Sequence, residues 1–503
     1  MAIHVRCAEI ARHCATRATR TLRSASLALI LAIPAQAGTW DHGHGDATNS
    51  GFADVVTKPA LRPSVLVPDI GTYAPGAGPV LGPDGTVYLG NQQGELRALR
   101  PDGSLAWMRK LNHGEAILAS PVVDTDGSIY VVGSRTYRDH RVSPAVRRSD
   151  STLYRFVPGG GLLWVRPFPE RFLGASQQGS RGATSASPNI WRRGSDAAVM
   201  IPVTYKAIGG VQLRLLAFSL QGALLNDHLV THHAYTVTGG AGEFWSDVGC
   251  ILTFCYLVPG FSISASPGDP ADLLPADTTA PMAGLAIFTF AGGGTPWIIV
   301  NDPWQATIGH VYAPGQGFLE LFRKTNASSY ATTPMVLPDG HSVTGTAVSG
   351  SYGSRLTFAG PNGQAWPALD LPGFGIYGTP ARTADGRIVA VDRSGKVSVV
   401  QNAAVAASVL LKSATIAPAA VSRNHLFVST AGGFHTLDAA SLVPLGRVSW
   451  VGGGLSSPAI GADGRVYALA SNTLFGWPGP ARTCAIRSCG ALPDKVATIG
   501  ARS

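Results

Sequence analysis

Seven times along this chain a proline is followed, five residues later, by a polar residue and then at once by Gly or Asn, ahead of a short apolar run. The clean copies are Pro79…Asp84-Gly85, Pro121…Asp126-Gly127, Pro334…Asp339-Gly340, Pro380…Asp385-Gly386 and Pro458…Asp463-Gly464. Pro188…Arg193-Gly194 and Pro418…Arg423-Asn424 keep the spacing without the acid. Asp-Gly between two apolar runs is a strong hairpin signal, because the tightest hairpin turns place both central residues at positive φ. An eighth unit opens at Pro281, where an apolar run leads through Gly292 to Gly294 into Trp297-Ile-Ile-Val, a strand–turn–strand with a longer turn. Hairpins repeating at roughly 40-residue intervals are stacked copies of one β unit, the pattern of propeller blades. The expected fold is all-β: a single propeller of eight four-stranded blades, or seven if one unit is not a blade.

A second register mark lies later in the units. Ala98-Leu-Arg-Pro-Asp-Gly-Ser-Leu-Ala-Trp107 aligns without gaps on Arg155 to Trp164 and on Thr357 to Trp366. Unit three, Ala217 to Asn226, keeps the Phe and the glycine turn but carries Asn in the Trp position. The pattern is a third strand, a glycine turn and a fourth strand led by Trp, whose flat ring can cover the junction between blades. Ser/Thr-Pro-x4-Asp-Gly followed by A-L-x-P-D-G-x-x-x-W resembles the pyrroloquinoline-quinone-type repeat. That repeat builds the propellers of quinoprotein dehydrogenases and of the scaffold subunit of the outer-membrane β-barrel assembly machinery. The resemblance spans about residues 64–481 and is diagnostic of a fold rather than of an activity. The last unit supplies only three strands, so Ser64-Val-Leu-Val-Pro is expected to add the fourth and close the ring, removing exposed edges.

The outer segments carry other signals. Arg6, Arg12, Arg17, Arg20 and Arg23, then Leu27 to Ile33, then Ala35-Gln-Ala37 have the order of an export signal with its cleavage site. Removing residues 1–37 removes five arginines and one glutamate, leaving +5 of the formal +9. No Lys/Arg block remains, so a nucleic-acid partner is not expected. The most apolar later stretch, Gly249 to Phe261, is too short and interrupted to span a bilayer. Residues 38–63, including Asp41-His-Gly-His44-Gly-Asp46, are expected to be a disordered tail. Residues 482–503 form a C-terminal tail. Export makes the four cysteines outside the signal two local disulfides, Cys250 with Cys255 and Cys484 with Cys489; Cys-x4-Cys is loose for zinc. With no cysteine after the apolar core, a lipid anchor is not expected, and the protein is placed in the periplasm or the secreted fraction.

Units two and three exceed a blade's length near Tyr137 to Ser151, Phe168 to Ser185 and about 234–280. The last is expected to be a disulfide-stapled loop on one face of the ring, where binding is usually placed. It carries Trp245 and Asp247, the first choice for a ligand-contacting patch. Trp297, Asp302 and Trp304 in unit four put a carboxylate among indoles and are the second. His228, His232 and His233 are weak metal candidates: on a regular strand His228 and His232 share a face, but no carboxylate repeats nearby. The resemblance implies a quinone, yet the chain has no Cys-Cys, no Cys-x-x-Cys-His and no obvious acidic set for a calcium ion. No Gly-x-Ser-x-Gly elbow, His-Glu-x-x-His or phosphate loop occurs either. Catalytic residues are therefore not assigned and no cofactor is expected. The expected function is a monomeric binding or scaffold protein of the bacterial envelope, taking a protein or glycan partner through loops on one face. The alternatives are a quinone-dependent alcohol or sugar dehydrogenase holding pyrroloquinoline quinone with calcium, and a carbohydrate-acting propeller.

Overall fold

Each Pro…Asp-Gly unit forms a two-residue or slightly longer inner strand, a tight turn and a second strand, and eight such units stand around one axis. In the computed structural model the described residues are 40–139, 146–172, 179–207, 210–234, 284–290, 294–302, 306–325, 330–348, 353–361, 363–364, 366–450 and 455–480. Residues 38–503 make one unit. The 1–37 segment, a second unit, lies wholly outside the described residues. So do both expected disulfides: Cys250 and Cys255 of the stapled loop, and Cys484 and Cys489 of the C-terminal tail, are outside the described set, and neither bridge is shown. Trp245, Asp247 and Trp304 are outside it as well.

Blade 1 is β2 (Val80–Leu81), β3 (Val87–Gly90), β4 (Glu95–Leu99) and β5 (Leu105–Lys110), paired antiparallel in that order from the axis outward. Blade 2 is β6 (Val122–Val123), β7 (Ile129–Asp139), β8 (Val146–Phe156) and β9 (Leu162–Pro167), followed by a two-stranded β10 (Glu170–Phe172)/β11 (Gly179–Arg181) ribbon. Blade 3 is β12 (Asn189–Arg193), β13 (Asp196–Ala207), β14 (Gly210–Phe218) and β15 (Leu224–Ala234). Blade 4 is β16 (Leu285–Phe288), β17 (Trp297–Asp302), β18 (Ala306–Ala313) and β19 (Gly317–Thr325). Blade 5 begins at Met335–Val336 and ends at Leu369–Pro372; blade 6 runs from Ala381 to Leu410 and blade 7 from Ala420 to Ser449. Blade 8 has Ala459–Ile460, Val466–Ala470 and Thr473–Trp477, and its fourth strand is β1 (Val65–Val67), registered Val65↔Gly476 to Val67↔Leu474. The expected ring closure by the N-terminal strand is the one observed.

The Asp-Gly turns differ in detail from the expected two-residue type. Only the glycine takes a positive φ, 81° at Gly85 and 79° at Gly127. The aspartate acts through its side chain: Asp84 accepts the Thr86 N–H (3.0 Å), Asp126 that of Ser128 (2.8 Å) and Asp463 that of Arg465 (3.1 Å). This carboxylate-to-backbone bond holds the turn, so the acid is favoured for local hydrogen bonding.

The core is a ring of clusters shared by neighbouring sheets; Tyr88, Leu96 and Ala98 of blade 1, for example, pack with Ile129, Tyr154 and Phe156 of blade 2. On the rim of five seams a fourth-strand side chain lies over a glycine turn of the next blade. Trp107 sits where a Cβ on Gly160 would come within 2.6 Å, and Trp164 likewise at 2.9 Å from Gly222. Their indole N–H groups donate to Pro158 O (2.7 Å) and Leu220 O (2.9 Å). Asn226, in the Trp position of unit three, covers Gly317; Phe322 covers Gly363, and Val65 covers Gly103.

Candidate functional site

An eight-bladed ring leaves a space along its axis, walled by the innermost strands, and backbone N–H groups facing it need acceptors. The segment Trp40–Gly51 supplies them. Trp40 O accepts from Leu81 N (2.7 Å) in blade 1, and Asp41 O from Val123 N (2.8 Å) in blade 2. His42 Nε2 faces Ile190 N of blade 3 at 3.5 Å. Ala47 O accepts from Ile287 N of blade 4 (2.7 Å), Thr48 O from Val336 N of blade 5 (2.9 Å), Ser50 O from Arg382 N of blade 6 (2.9 Å) and Gly51 O from Val421 N of blade 7 (2.8 Å). The segment thus walks around the axis in blade order, touching seven of the eight blades.

The expectation of a disordered tail is corrected here: Trp40, His42, His44, Asn49, Ser50 and Phe52 are all buried. Small residues make the path possible. Gly45 (φ 93°) and Gly51 (φ 59°) lie in the left-handed region, and a Cβ on Gly51 would meet the His44 ring at 2.6 Å. Asn49, also left-handed (φ 56°), sends its amide to Leu285 O and Pro334 O, both 3.0 Å, joining blades 4 and 5. The chain then leaves over the turns of blade 7, where Thr57 Oγ1 meets Ser422 Oγ and His425 Nδ1 (both 2.9 Å), and reaches β1 at the rim.

Above this floor the axial funnel narrows to a cup of about 70 Å³. Its wall is set by the repeat: the residue before the repeat proline lines the cup in blades 2, 3, 5 and 6, as Ser120, Ser187, Thr333 and Thr379. His42, His44, Asn49 and Asn189 complete the polar surface. No Asp, Glu, Lys or Arg side chain lines it among the described residues. His44 holds Nε2 against Pro380 O (3.2 Å), and its Nδ1 has no partner. Burial drives its pKa down to about 4, against the opposing pull of the Pro380 carbonyl and Asp46, so the ring is neutral at pH 7.

These residues do not fit a quinone cofactor. A flat tricyclic tricarboxylate requires cationic partners and several hundred Å³, and a calcium ion beside it requires carboxylate oxygens. The cup has none of these, and no three His, Cys, Asp or Glu converge anywhere among the described residues.

The other sequence-chosen residues lie away from the axis. Trp297 opens β17 and packs against Phe290 (ring centroids 5.5 Å apart), while Asp302 ends the same strand. Five residues of extended chain separate them by roughly 16 Å and put them on opposite faces, so they do not share a pocket. Asp302 accepts from Thr231 Oγ1 and Ala306 N, both 2.9 Å, and lies 3.5 Å from Arg323, which makes it a tie between blades 3 and 4. His228 and His232 do not share a face. Thr231 pairs with Leu213 but Leu229 with Arg214, so Val230 is an extra, bulged residue that flips the alternation between them. His228 packs edge-on against His310 (5.1 Å) in the blade 3/4 seam, and His232 is exposed. His310 is fully buried with both ring nitrogens unpartnered; burial first, then the neighbouring His228, lowers its pKa to about 3. The side chain of His233 is outside the described set.

Solved propellers share this ring. The chain is similar in structure to the quinohemoprotein alcohol dehydrogenase ADHIIG of Pseudomonas putida HK5, with a TM-score of 0.55 at 11% identity over 88% of this chain and 81% of that one. BamB from Moraxella catarrhalis matches at TM-score 0.48 and 12% identity, over 83% of this chain and 100% of that one. The quinohemoprotein alcohol dehydrogenase of Comamonas testosteroni matches at 0.47 and 13%, over 88% and 81%. At these identities the likeness is one of fold alone. Among curated proteins, the uncharacterized protein YxaL of Bacillus subtilis is 48% identical over 51 residues, which is 10% of this chain and only 12% of that protein's length. No family model matches.

Proposed function

We propose that this protein is an exported, non-catalytic binding propeller of the bacterial envelope or secreted fraction, and that it holds a protein partner on one face of the ring. Residues 1–37 act as its export signal. Cys250 with Cys255, and Cys484 with Cys489, close as disulfides in the oxidising compartment. It works as a monomer and takes no quinone.

The observation that carries this reading is the asymmetry of the two faces. The Asp-Gly turns all lie on one face, so antiparallel pairing sends every second-to-third-strand hairpin and every crossover to the other. There, β7 and β8 have 11 residues each and β13 has 12, against 4 and 5 for β3 and β4 of blade 1. Seven extra residues at about 3.3 Å each carry the blade 2 hairpin roughly 20 Å beyond that of blade 1. The β10/β11 ribbon lies on the same face, where β15 also ends at Ala234. Long hairpins on a rigid ring offer a surface for a macromolecule, whereas the closed axis offers little volume for a cofactor. Among the described residues no helix is long and apolar enough to cross a membrane.

Replacing residues 135–150 with Asn-Gly, which joins the Ser134↔Ser151 pair directly, tests the reading. The variant is expected to keep the wild-type melting temperature and lose a partner cross-linked to the wild type in the periplasm. Equal capture by both proteins rules out the hairpin face. Stoichiometric retention of pyrroloquinoline quinone with calcium, accompanied by dye reduction on alcohols or sugars, rules out the non-catalytic reading.

A further inference from the structure

The seam between blades 5 and 6 differs from the two other seams that carry a tryptophan in the repeat position, at Trp107 and Trp164. Trp366 occupies the repeat position of Trp107 and Trp164, yet blade 6 offers it no glycine turn. Where blades 1 to 5 carry Pro-Asp-Gly or a similar glycine loop, blade 6 has Gln401-Asn402-Ala403, with Asn402 (φ 51°) and Ala403 (φ 56°) making a tight two-residue hairpin. The shorter turn leaves the ring without its cover. Trp366 is 39% exposed, and its ring lies on His341 at 3.8 Å. What opens beneath is a cavity of about 430 Å³, walled by Leu337, Phe358 and Val400 and rimmed by Asp339, Asp385 and the Gln401-Asn402 turn. This volume falls in the range of small-ligand sites, about 300–1,000 Å³, and the cavity lies on the Asp-Gly face, opposite the hairpins.

We infer that this unsealed seam is a binding site for a neutral saccharide, with the face of Trp366 as the platform for one sugar ring. An indole face offers apolar contact to the C–H face of a pyranose, and the hydroxyls at the ring edge need mixed donors and acceptors. The rim supplies both. Asp339 and Asp385 are each about half exposed; His341 and Arg387 hold them in place (3.0 and 2.9 Å) and leave carboxylate lone pairs for hydroxyl donors. The amides of Gln401 and Asn402 add donors and acceptors. Arg387 and His341 face the two acids, so the rim carries no cationic excess to select an anion. A single exposed indole also lacks the several aromatic walls that enclose a quaternary ammonium ion. The site is independent of the hairpin face.

Titration of the purified full-length protein with methyl glucoside, N-acetylglucosamine, cellobiose and maltose, followed by tryptophan fluorescence and calorimetry, tests the assignment. At least one is expected to bind saturably at millimolar or lower concentration. Trp366→Ala should weaken it at least tenfold and Asp385→Asn several-fold, while Trp107→Ala, in a sealed seam, leaves it unchanged. A glycine inserted between Asn402 and Ala403, which restores the sealing turn, should abolish binding without lowering the melting temperature. Absence of saturable binding by all four sugars overturns the assignment, as does undiminished binding in Trp366→Ala or in the glycine-insertion protein. Selective binding of choline over the sugars overturns the ligand class.

Discussion

Two stretches of non-repeating chain close this propeller, and they do so by different physics. At the rim, β1 adds a fourth strand to blade 8 in uniform register, with Leu66 61% exposed. At the axis, residues 40–51 form no strand; they hand single carbonyls to one blade after another from a buried path. The rim strand removes an edge, and any short apolar alternation of the right length can do that. The axial segment satisfies N–H groups that have no water to turn to, and each position meets a different blade. Substitutions should therefore cost far more at the axis than at the rim.

The largest effect is expected from Gly51→Val. The new Cβ would approach the His44 ring at 2.6 Å and Ala381 Cβ at 2.7 Å, at a φ of +59° that branched residues avoid. Overpacking and backbone strain together should destabilise the ring by about 3 kcal/mol or more, read as a lowered denaturant midpoint. A midpoint within error of wild type would mean that the axial segment is dispensable. Asn49→Ala comes next. It leaves Pro334 O without its amide donor, while Leu285 O keeps the Asn189 amide (3.0 Å), at a cost of about 1–3 kcal/mol. Retention of wild-type stability there would separate the segment's backbone bonds from its side chains.

Acid should also act through the axis more than through the rim. His44 is held to a pKa of about 4 in the folded protein by burial, against 6.5 unfolded. The unfolded chain binds this proton below pH 6.5 and the folded chain does not. Its contribution is therefore complete above pH 6.5 and is lost progressively as pH falls toward 4. At pH 5 the loss for a shift of this size is about 2 kcal/mol. His310, lowered to about 3 by burial and by His228, titrates with the same sign in the blade 3/4 seam. His44→Gln keeps a donor for Pro380 O and removes the titration. Its stability between pH 7 and 5 should fall less steeply than that of wild type; equal slopes would assign the acid sensitivity to other groups.

The contrast also marks what the sequence could disclose. The Asp-Gly turns, the eight units and the closing strand were legible because each is a local pattern: a turn residue at a fixed offset, or an apolar run of strand length. The seam role of Trp107 and Trp164 was legible for the same reason, as was its replacement by Asn226. Residues 40–51 hid because their bonds use main-chain carbonyls, which every residue carries; Gly45 and Gly51 signalled flexibility when they were providing clearance. The alternation that put His228 and His232 on one face failed at the Val230 bulge, which depends on pairing with β14. The funnel wall was missed although its mark, a hydroxyl residue before the repeat proline, stood in plain view at Ser120, Ser187, Thr333 and Thr379. The two-residue turn at Asn402-Ala403 was visible too, as a lost glycine. Its meaning needed the cavity that it leaves.

The smallest expected effect sharpens the comparison from the rim side. Leu66 points outward from β1, opposite Phe475, and 61% of it is already in water. Leu66→Ser removes little buried area and leaves the backbone ladder to blade 8 unchanged. Its neighbours Val65 and Val67 still cover the Gly103 turn, where a Cβ would come within 2.6 Å of Val65. The cost should stay within about 0.5 kcal/mol, measured by denaturant unfolding beside Val65→Ser. That second variant places a hydroxyl where the side chain is 9% exposed and uncovers the blade 8/1 seam, so it should cost about 1–3 kcal/mol. If Leu66→Ser proved as costly as Val65→Ser, the strand's outer face would be packed against something, and the rim would have to be treated, like the axis, as an interior.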